Sequence, residues 1–291
     1  MKNLSSGKVK GLRSPIQLPD TESVANEWQL LNRAWWENQP MRYDWNGAIG
    51  IEPGSKEFFQ EIDRRFFDSV RHYMPWRKEP FDSLISFSNL GSKDILEIGT
   101  GHGSHAQLMA PFSKSFTGID LTEKATFATR KRLELFEIPA RILCMDAEHM
   151  TFPDRSFDFI WSWGVIHHSA NPPGILREMH RVLRPDGEAV IMVYHRSFWG
   201  YYLTGGFFRP TDGALARFYR PTEWQKLCEG LFEIKRFIIT GQKTDVLPLP
   251  AGSFKRALEK IVPDSVSRVL TNRFKMGSFL IAEMIRKDSV F

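Results

Sequence analysis

The stretch Asp94-Ile-Leu-Glu-Ile-Gly-Thr-Gly-His-Gly103 decides the fold class of this 291-residue chain. Its apolar first half predicts a short buried strand, and its three glycines predict a tight turn that leads into a helix. Glycine lets the backbone approach a ligand closely because it has no side chain and tolerates positive φ. The spacing is G-x-G-x-G, and Ser104 stands where a dinucleotide fingerprint would have its third glycine. The motif therefore predicts a ligand-binding strand–turn–helix unit, but not the usual nicotinamide site.

Strands and helices alternate with short connections from residue 93 onward, a pattern typical of a parallel α/β sheet. The predicted strands are 94–98, 115–120, 141–146, 157–163, 189–194, 232–240 and 278–285. The predicted helices of this part are 104–111, 123–137, 173–183 and one that begins at 221 or 222. Upstream, apolar residues spaced by four predict a helix over 56–73, a second short helix is predicted over 81–90, and 1–22 is expected to be a mobile or loosely docked leader.

The composition is that of a soluble globular protein. Apolar residues make up 42% of the chain and charged residues 25%, which excludes a disordered or collagen-like chain. The aromatic content is 13%, and this excess predicts either an apolar pocket or bulky core filling. The net charge of +5 is too diffuse to indicate nucleic-acid binding by itself. Cys144 and Cys228 cannot form a disulfide framework, and no signal peptide or membrane span is evident, so we expect a cytoplasmic protein.

Acidic residues follow the second and third predicted strands. Asp120 ends the second strand, where a carboxylate can accept hydrogen bonds from the two hydroxyls of a ribose, although it could instead cap the helix that follows. Asp146 ends the third strand, where a carboxylate and adjacent backbone N–H groups can bind the edge of an adenine. Ligands bind at the carboxyl ends of parallel strands. Together with the glycine turn, these positions predict an amino-acid site, a ribose site and a base site.

Four segments in order carry a resemblance to a known family: LEIGTGHGSHA (96–106), FTGIDLT (116–122), MDAEHMTFPDRSFDFIWSWGVIHH (145–168) and ILREMHRVLRPDGEAVIMVYH (175–195). The chain resembles the class I S-adenosylmethionine-dependent methyltransferases, in the small-molecule branch that includes the ubiquinone-biosynthesis type. The resemblance implies a Rossmann-like α/β fold: a seven-stranded, mostly parallel sheet with helices on both faces and an antiparallel last strand. From the residues we expect an N-terminal leader and helical lid or extension over 1–80. The methyltransferase domain is expected over 81–291, with insertions at about 196–220 and 243–275.

The resemblance also implies roles for individual residues toward S-adenosylmethionine. Glu97 and the turn would hold the methionine part, Asp120 the ribose, Asp146 the adenine edge, and Trp163 would lie beside the sulfonium. The full expected cofactor set is Glu97, Gly99, Thr100, Gly101, Gly103, Asp120, Leu121, Asp146, Ala147 and Trp163. No metal ligand set is evident, and none is expected.

The methyl acceptor is less constrained by the sequence. Methyl transfer from a sulfonium needs alignment and exclusion of water more than it needs a catalytic group, but a hydroxyl or acidic carbon benefits from a general base. The candidate bases are His168, His167 and His195, with packing as the alternative for each. The candidate substrate-binding residues are Trp36, Tyr43, Tyr194 and Trp199, and such aromatics could equally join the N-terminal helices to the sheet.

These observations predict a methyltransferase of a small, hydrophobic or amphipathic metabolite that acts by direct displacement. The alternatives are a methyltransferase of a protein or RNA, a protein that binds S-adenosylmethionine without turnover, and, least favoured by the glycine spacing, a dehydrogenase. Nucleic acid is not an expected partner, since no RNA-binding motif is evident. The basic segment 253–275 could contact an anionic membrane or could simply be a solvated surface.

Overall fold

One twisted sheet organises the protein, whose computed structural model describes residues 14–43, 47–196, 215–247 and 253–288. Its strands are β1 (Asp94–Ile98), β2 (Ser115–Asp120), β3 (Arg141–Cys144), β4 (Phe157–Trp163), β5 (Leu183–His195), β6 (Phe218–Tyr219), β7 (Phe232–Thr240) and β8 (Phe279–Arg286). The order across the sheet is β3-β2-β1-β4-β5-β8-β7, with the two-residue β6 beside the end of β5. Strand β8 is antiparallel to β5 and β7, while the pairs from β3 to β5 are parallel. The predicted Rossmann-like fold is confirmed.

Helices cover both faces of the sheet, and further helices precede its first strand in the sequence. They are α1 (Glu22–Asn38), α2 (Lys56–Tyr73), α3 (Ser104–Met109), α4 (Glu123–Leu135), α5 (Pro172–Val182), α6 (Pro221–Leu227), α7 (Ser253–Ile261) and α8 (Asp264–Arg268). Short 3-10 turns lie at Phe87–Ser92, Ala110–Phe112, Ile166–His168 and Lys243–Val246, and a π-helical turn at Val269–Arg273. Across the described ranges, no helix is both long and apolar enough to cross a bilayer.

The two faces of the sheet bury separate apolar cores, because successive side chains of a strand point to opposite faces. Leu96 and Ile98 of β1 belong to the core that includes α5, whereas Ile95 belongs to the core beneath α2 and α3. Glu97 points toward the second core as well, since it alternates with Leu96 and Ile98. The acidic residue of the glycine motif is therefore placed among apolar and aromatic side chains.

The predicted helix over 81–90 is wrong. Residues 80–84 form turns instead, and the 3-10 segment Phe87–Ser92 follows them. Phe81 has φ +63°, which an α-helix does not allow, and its ring is fully buried against Trp161 and Trp163. Burial of this ring explains why the local helix preference is overridden.

Two other expectations need correction. Strand β3 ends at Cys144 rather than at 146, because the Asp146 carboxylate accepts a hydrogen bond from Glu148 N and turns the chain. The described part of the leader is not loosely docked: the fully buried Arg217 donates hydrogen bonds to Pro15 O at 3.0 Å and to Gln17 O at 2.6 Å. Residues 1–13 lie outside the described residues.

Candidate functional site

A cavity of about 250 Å³ opens at the carboxyl ends of the parallel strands. The glycine turn forms one wall, and α1 and α2 contribute residues from the side opposite the sheet. The expected cofactor residues in the lining are Gly99, Thr100, Gly101, Asp120, Leu121, Asp146, Ala147 and Trp163. Glu97 and Gly103 lie behind this lining rather than in it. The structure thus brings residues from four strand ends to one cavity, as expected for open α/β sheets.

The shape of the turn requires glycine at specific positions. Gly99 has φ +83°, and a Cβ built there would lie 2.2 Å from the Val165 side chain, so a larger residue cannot fit. Gly101 has φ +54° and faces open space, so a ligand can approach its backbone. The first glycine is needed for packing and the second leaves room at the cavity.

Arg132 of α4 supports the turn from below, and sequence reasoning missed it. Its side chain is fully buried, it donates to His102 O at 3.0 Å and to Ser104 Oγ at 3.2 Å, and it forms an ion pair with Asp63 of α2. A long cationic side chain on an otherwise polar helix carries no local signal of this role. Only the packing of α2, α4 and the turn reveals it.

Asp120 is tied to the turn as well. Its Oδ2 accepts from Gly101 N at 3.1 Å, and its Oδ1 accepts from Thr122 N and Thr122 Oγ1 at 3.0 and 2.9 Å. The N-cap of α4 is Thr122, whose Oγ1 accepts from Ala125 N, so the capping alternative for Asp120 is wrong. Burial raises the pKa of Asp120, and its carboxylate keeps lone-pair capacity for a further donor.

The carboxyl group of Glu97 is buried without a hydrogen-bond partner in the described part of the chain. It is 1% exposed, and among the described residues neither of its oxygens has a hydrogen-bond partner. His105 Nδ1 lies 3.5 Å away, but burial lowers the pKa of His105 to about 3, so this imidazole is neutral and is no counter-ion. Burial raises the pKa of Glu97 well above its ordinary range. An unpartnered buried carboxylate behind the turn fits the ammonium group of a methionine moiety.

Gln29 of α1 occupies the base end of the cavity, a contact that the sequence did not predict. Its Nε2 lies 3.0 Å from both carboxylate oxygens of Asp146, and Glu148 N donates to the same carboxylate at 2.9 Å. The Gln29 Oε1 is buried and, within the described ranges, has no partner. The amide NH₂ of Gln29 therefore occupies the position at which the resemblance places the amino group of adenine.

The three candidate histidines lie in different surroundings. His168 lines the cavity, and its Nδ1 is 2.6 Å from Leu215 O. A carbonyl oxygen only accepts, so Nδ1 carries the proton and Nε2 keeps its lone pair. His167 is fully buried behind Tyr194, with ring centroids 3.8 Å apart, and is not part of the lining. His195 is 1% exposed, its Nδ1 is 2.8 Å from Gly277 O, and it too lies away from the cavity.

Aromatic residues line the cavity near His168. Trp36, Tyr43 and Tyr194 all contribute, whereas Trp199 lies outside the described residues. Trp163 is stacked on Trp161, with a centroid distance of 5.3 Å and an interplanar angle of 5°, which fixes its ring at the end of β4. Sequence reasoning missed several lining residues on α1, α2 and β8: Asn32, Phe66, Ser69, Tyr73 and Phe279.

The charges in the lining are of one sign. The acids Asp120 and Asp146 belong to it, whereas no Lys or Arg of the described chain does. A sulfonium or ammonium group would be stabilised here, while an anionic ligand group would depend on backbone N–H donors such as those of the glycine turn. Glycine turn, orphan Glu97 and acidic lining thus fit S-adenosylmethionine. The described residues hold no cluster of three or more His, Cys, Asp or Glu that could bind a metal ion.

Comparisons with known proteins agree with this geometry. A family model described as a methyltransferase domain matches residues 96–191. The ubiquinone biosynthesis O-methyltransferase of Aromatoleum aromaticum is 26% identical over 194 residues, which cover 62% of this chain and 82% of that protein. The tRNA U34 carboxymethyltransferase of Hydrogenovibrio crunogenus is 26% identical over 164 residues, and the chain spans 49% of its length. The crystal structure of the [4+2]-cyclase SpnF superposes with a TM-score of 0.54 at 19% identity, over 94% of this chain and 98% of that one, and shows the shared fold.

Proposed function

The chain carries the domain of the class I S-adenosylmethionine-dependent methyltransferases, and from this we propose that it methylates a small, hydrophobic or amphipathic metabolite at a hydroxyl or acidic carbon. The observation that carries the proposal is the shared cavity, in which the cofactor residues meet His168 and an aromatic wall. This wall suits a planar or apolar acceptor. A cytoplasmic location belongs to the proposal and is supported by two free cysteines.

Plain methyl transfer is favoured over carboxymethyl transfer by charge. A carboxymethyl group brings a carboxylate into the site, and a buried carboxylate needs a cation or several donors. The described lining has no Lys or Arg and already holds Asp120 and Asp146. Carboxymethyl transfer, the activity in the name of the tRNA-modifying relative, is therefore disfavoured for this chain.

In the proposed mechanism, bound S-adenosylmethionine would supply a methyl group on a sulfonium, and the thioether that departs needs no acid. Glu97 would hold the ammonium of the methionine part, Asp120 the ribose hydroxyls, and Asp146 the adenine edge. His168 Nε2 accepts the proton of the acceptor as its oxygen or carbon becomes nucleophilic. Tyr194 and Trp163 exclude water around this proton and the reacting methyl.

Binding and turnover are tested separately. S-adenosylhomocysteine should raise the melting temperature and NADH should not, since ligands that bind only the folded state stabilise it. Purified protein with labelled S-adenosylmethionine is then added to a cell extract, which is partitioned into lipid, small-molecule, protein and nucleic-acid fractions. Label in the lipid or small-molecule fraction is expected, with Asp120→Ala as the inactive control. Label confined to protein or RNA would contradict the proposal and favour the macromolecular alternative.

We further propose that the N-terminal residues act as a lid. Helix α1 contacts the base end through Gln29 and the acceptor end through Trp36, whose ring lies 4.8 Å from that of His168. Its Glu37 Oε1 also accepts from Lys124 N at the start of α4. Removing residues 1–50 should reduce methyl transfer more than it weakens S-adenosylhomocysteine binding. Unchanged transfer would contradict a lid.

The segment 253–275 is proposed to contact an anionic membrane surface, from which an amphipathic acceptor could be taken. Three large apolar side chains in it are strongly exposed: Phe254 (68%), Ile261 (75%) and Phe274 (65%). The cations of this segment with described side chains are Lys255, Lys260, Arg268, Arg273 and Lys275. Of its two acids, Asp264 is already bound by Lys243 at 2.7 Å and by His72 at 2.9 Å. Exposed apolar residues beside cations are typical of interfacial segments.

Vesicle sedimentation tests this contact. The protein should sediment with vesicles of phosphatidylcholine and phosphatidylglycerol but not with phosphatidylcholine alone, and high salt should release it. The double variant Phe254→Ser/Ile261→Ser should lose binding. Phe127→Ser is the matched control, because Phe127 is 69% exposed on α4, outside this segment. Equal sedimentation of all three proteins would contradict the proposal.

A further inference from the structure

Asn32 of α1 uses both ends of its side-chain amide to hold the backbone around His168. Asn32 is 2% exposed, its Nδ2 donates to His168 O at 2.5 Å, and its Oδ1 accepts from Leu215 N at 3.0 Å. The two contacts join segments that are 136 and 183 residues away in the sequence. A buried amide whose oxygen and nitrogen both form hydrogen bonds carries only a small desolvation penalty, and it favours a single local conformation.

A third hydrogen bond closes this arrangement into a ring. Leu215, whose N–H is held by Asn32, presents its carbonyl oxygen to His168 Nδ1 at 2.6 Å. The imidazole must donate here, because the carbonyl has no proton to give. The bond therefore selects the tautomer with the proton on Nδ1 and the lone pair on Nε2.

Trp36 fixes the plane of the same imidazole. It lies four residues after Asn32 and hence on the same face of α1. Its ring contacts that of His168 edge to face, at 4.8 Å and 66°. His168 belongs to the cavity lining, and across the described ranges no side chain or backbone group is hydrogen-bonded to its Nε2. The lone pair is therefore available to an acceptor in the cavity.

We propose that Asn32 is a positioning residue that sets the tautomer of His168 by holding Leu215, so that Nε2 is presented as a base only while α1 is docked. The inference rests on the proposed function, in which His168 takes the proton of the acceptor. It also explains why an asparagine lies inside the apolar contact between α1 and the loop after β4. No covalent step involves Asn32: the proton passes from the acceptor to His168 Nε2.

Titratable and charged groups lie near His168 on its own turn, on β5 and beside Ser169. His167, on the same turn, has its ring 4.1 Å away, and Tyr194 of β5 has its ring 5.8 Å away. Glu148 and Arg217 lie beside the next residue, Ser169. Glu148 accepts a hydrogen bond from Ser169 Oγ, and Arg217 donates one to Ser169 O. Burial lowers the pKa of His168 to about 4, which keeps the imidazole neutral at physiological pH.

Nitrogen-15 NMR of histidine-labelled protein tests the proposal without any acceptor. Long-range correlations between ring protons and ring nitrogens report which nitrogen is protonated, and a pH titration reports the pKa. The His168 signals are assigned by their loss in His168→Gln. In the unsubstituted protein we expect the Nδ1–H tautomer and titration near pH 4.

The variants at position 32 test the two hydrogen bonds of the Asn32 amide separately. Asn32→Ala should give mixed tautomers and titration closer to the usual value of about 6.5, because Leu215 is released and water enters. Asn32→Asp retains an acceptor for Leu215 N, so it should keep the Nδ1–H tautomer while its charge raises the pKa of His168. Asn38→Ala is the matched control on the same helix, since the exposed Asn38 side chain donates only to Ala34 O. It should match the unsubstituted protein.

An unchanged tautomer and titration in Asn32→Ala would overturn the proposal, as would mixed tautomers in Asn32→Asp. If Asn32→Ala does not fold, the Asn32→Asp comparison decides alone. Binding of S-adenosylhomocysteine is measured on the same samples. Failure to bind it would refute the proposed function, whereas normal binding with an unperturbed His168 would refute only the role of Asn32.

Discussion

Replacing Glu97 with glutamine should change cofactor binding and stability in opposite directions. The carboxyl is 1% exposed, and none of the described residues donates a hydrogen bond to it. Its pKa is raised because burial disfavours the charged form, with a further contribution from the nearby Asp120. A bound ammonium would lower this pKa again, so binding should release protons from the carboxyl.

The expected changes in affinity and stability depend on whether the Glu97 carboxyl is charged or protonated. A charge-assisted hydrogen bond contributes about 1.5–3 kcal/mol, so Glu97→Gln should weaken S-adenosylhomocysteine binding by roughly 10- to 150-fold. Because the folded pKa lies above the unfolded one, the contribution to stability is present at low pH and is lost as pH rises from about 4.5 through the folded value. Glutamine has no charged form, so the variant avoids the desolvation cost that the buried carboxylate carries as pH rises.

Calorimetry and thermal unfolding measure both effects. Titration with S-adenosylhomocysteine in two buffers of different ionisation enthalpy should show proton release on binding, and Glu97→Gln should abolish the release. The melting temperatures of the two proteins should be similar near pH 4.5, and the variant should melt at a higher temperature than the unsubstituted protein as pH rises. Equal affinity and equal proton release in the two proteins would contradict this role of Glu97.

Three further outcomes are expected. Asp120→Asn should lose most of the melting-temperature rise caused by S-adenosylhomocysteine, and a rise equal to that of the unsubstituted protein would contradict its role at the ribose. Burial raises the pKa of Asp245 to about 6, so its contribution to stability falls as pH rises from about 4 to 6. Asp245→Asn, which can still accept both hydrogen bonds from Ser278, should therefore raise the melting temperature at pH 7 but not at pH 4. Gly99→Ala should destabilise the fold by at least 1–2 kcal/mol, as judged by urea unfolding, because its Cβ would meet Val165 at positive φ.

Local patterns predicted most of the regular structure. The bounds of α2 and of β1, β2, β4 and β7 agree with the sequence prediction to the residue, because alternation, four-residue spacing and punctuation by glycine and proline are local signals. Phe81 shows the limit of this reasoning. Its segment has apolar spacing suited to a helix, but the energy of burying one ring among tryptophans outweighs the local preference.

Local sequence patterns are enough to predict the order of the sheet motifs, the glycine turn and the acids at the strand ends, because each of these depends on neighbouring residues and on the rule that parallel strands present their carboxyl ends together. Long-range packing establishes which histidine lines the cavity, that Gln29 and Asn32 of α1 contact Asp146 and His168, and that Arg132 supports the turn. These contacts join residues from about 30 to more than 130 positions apart. The physical reason is that such pairings are selected by the packing of whole helices against the sheet, which leaves no periodic signal in the chain.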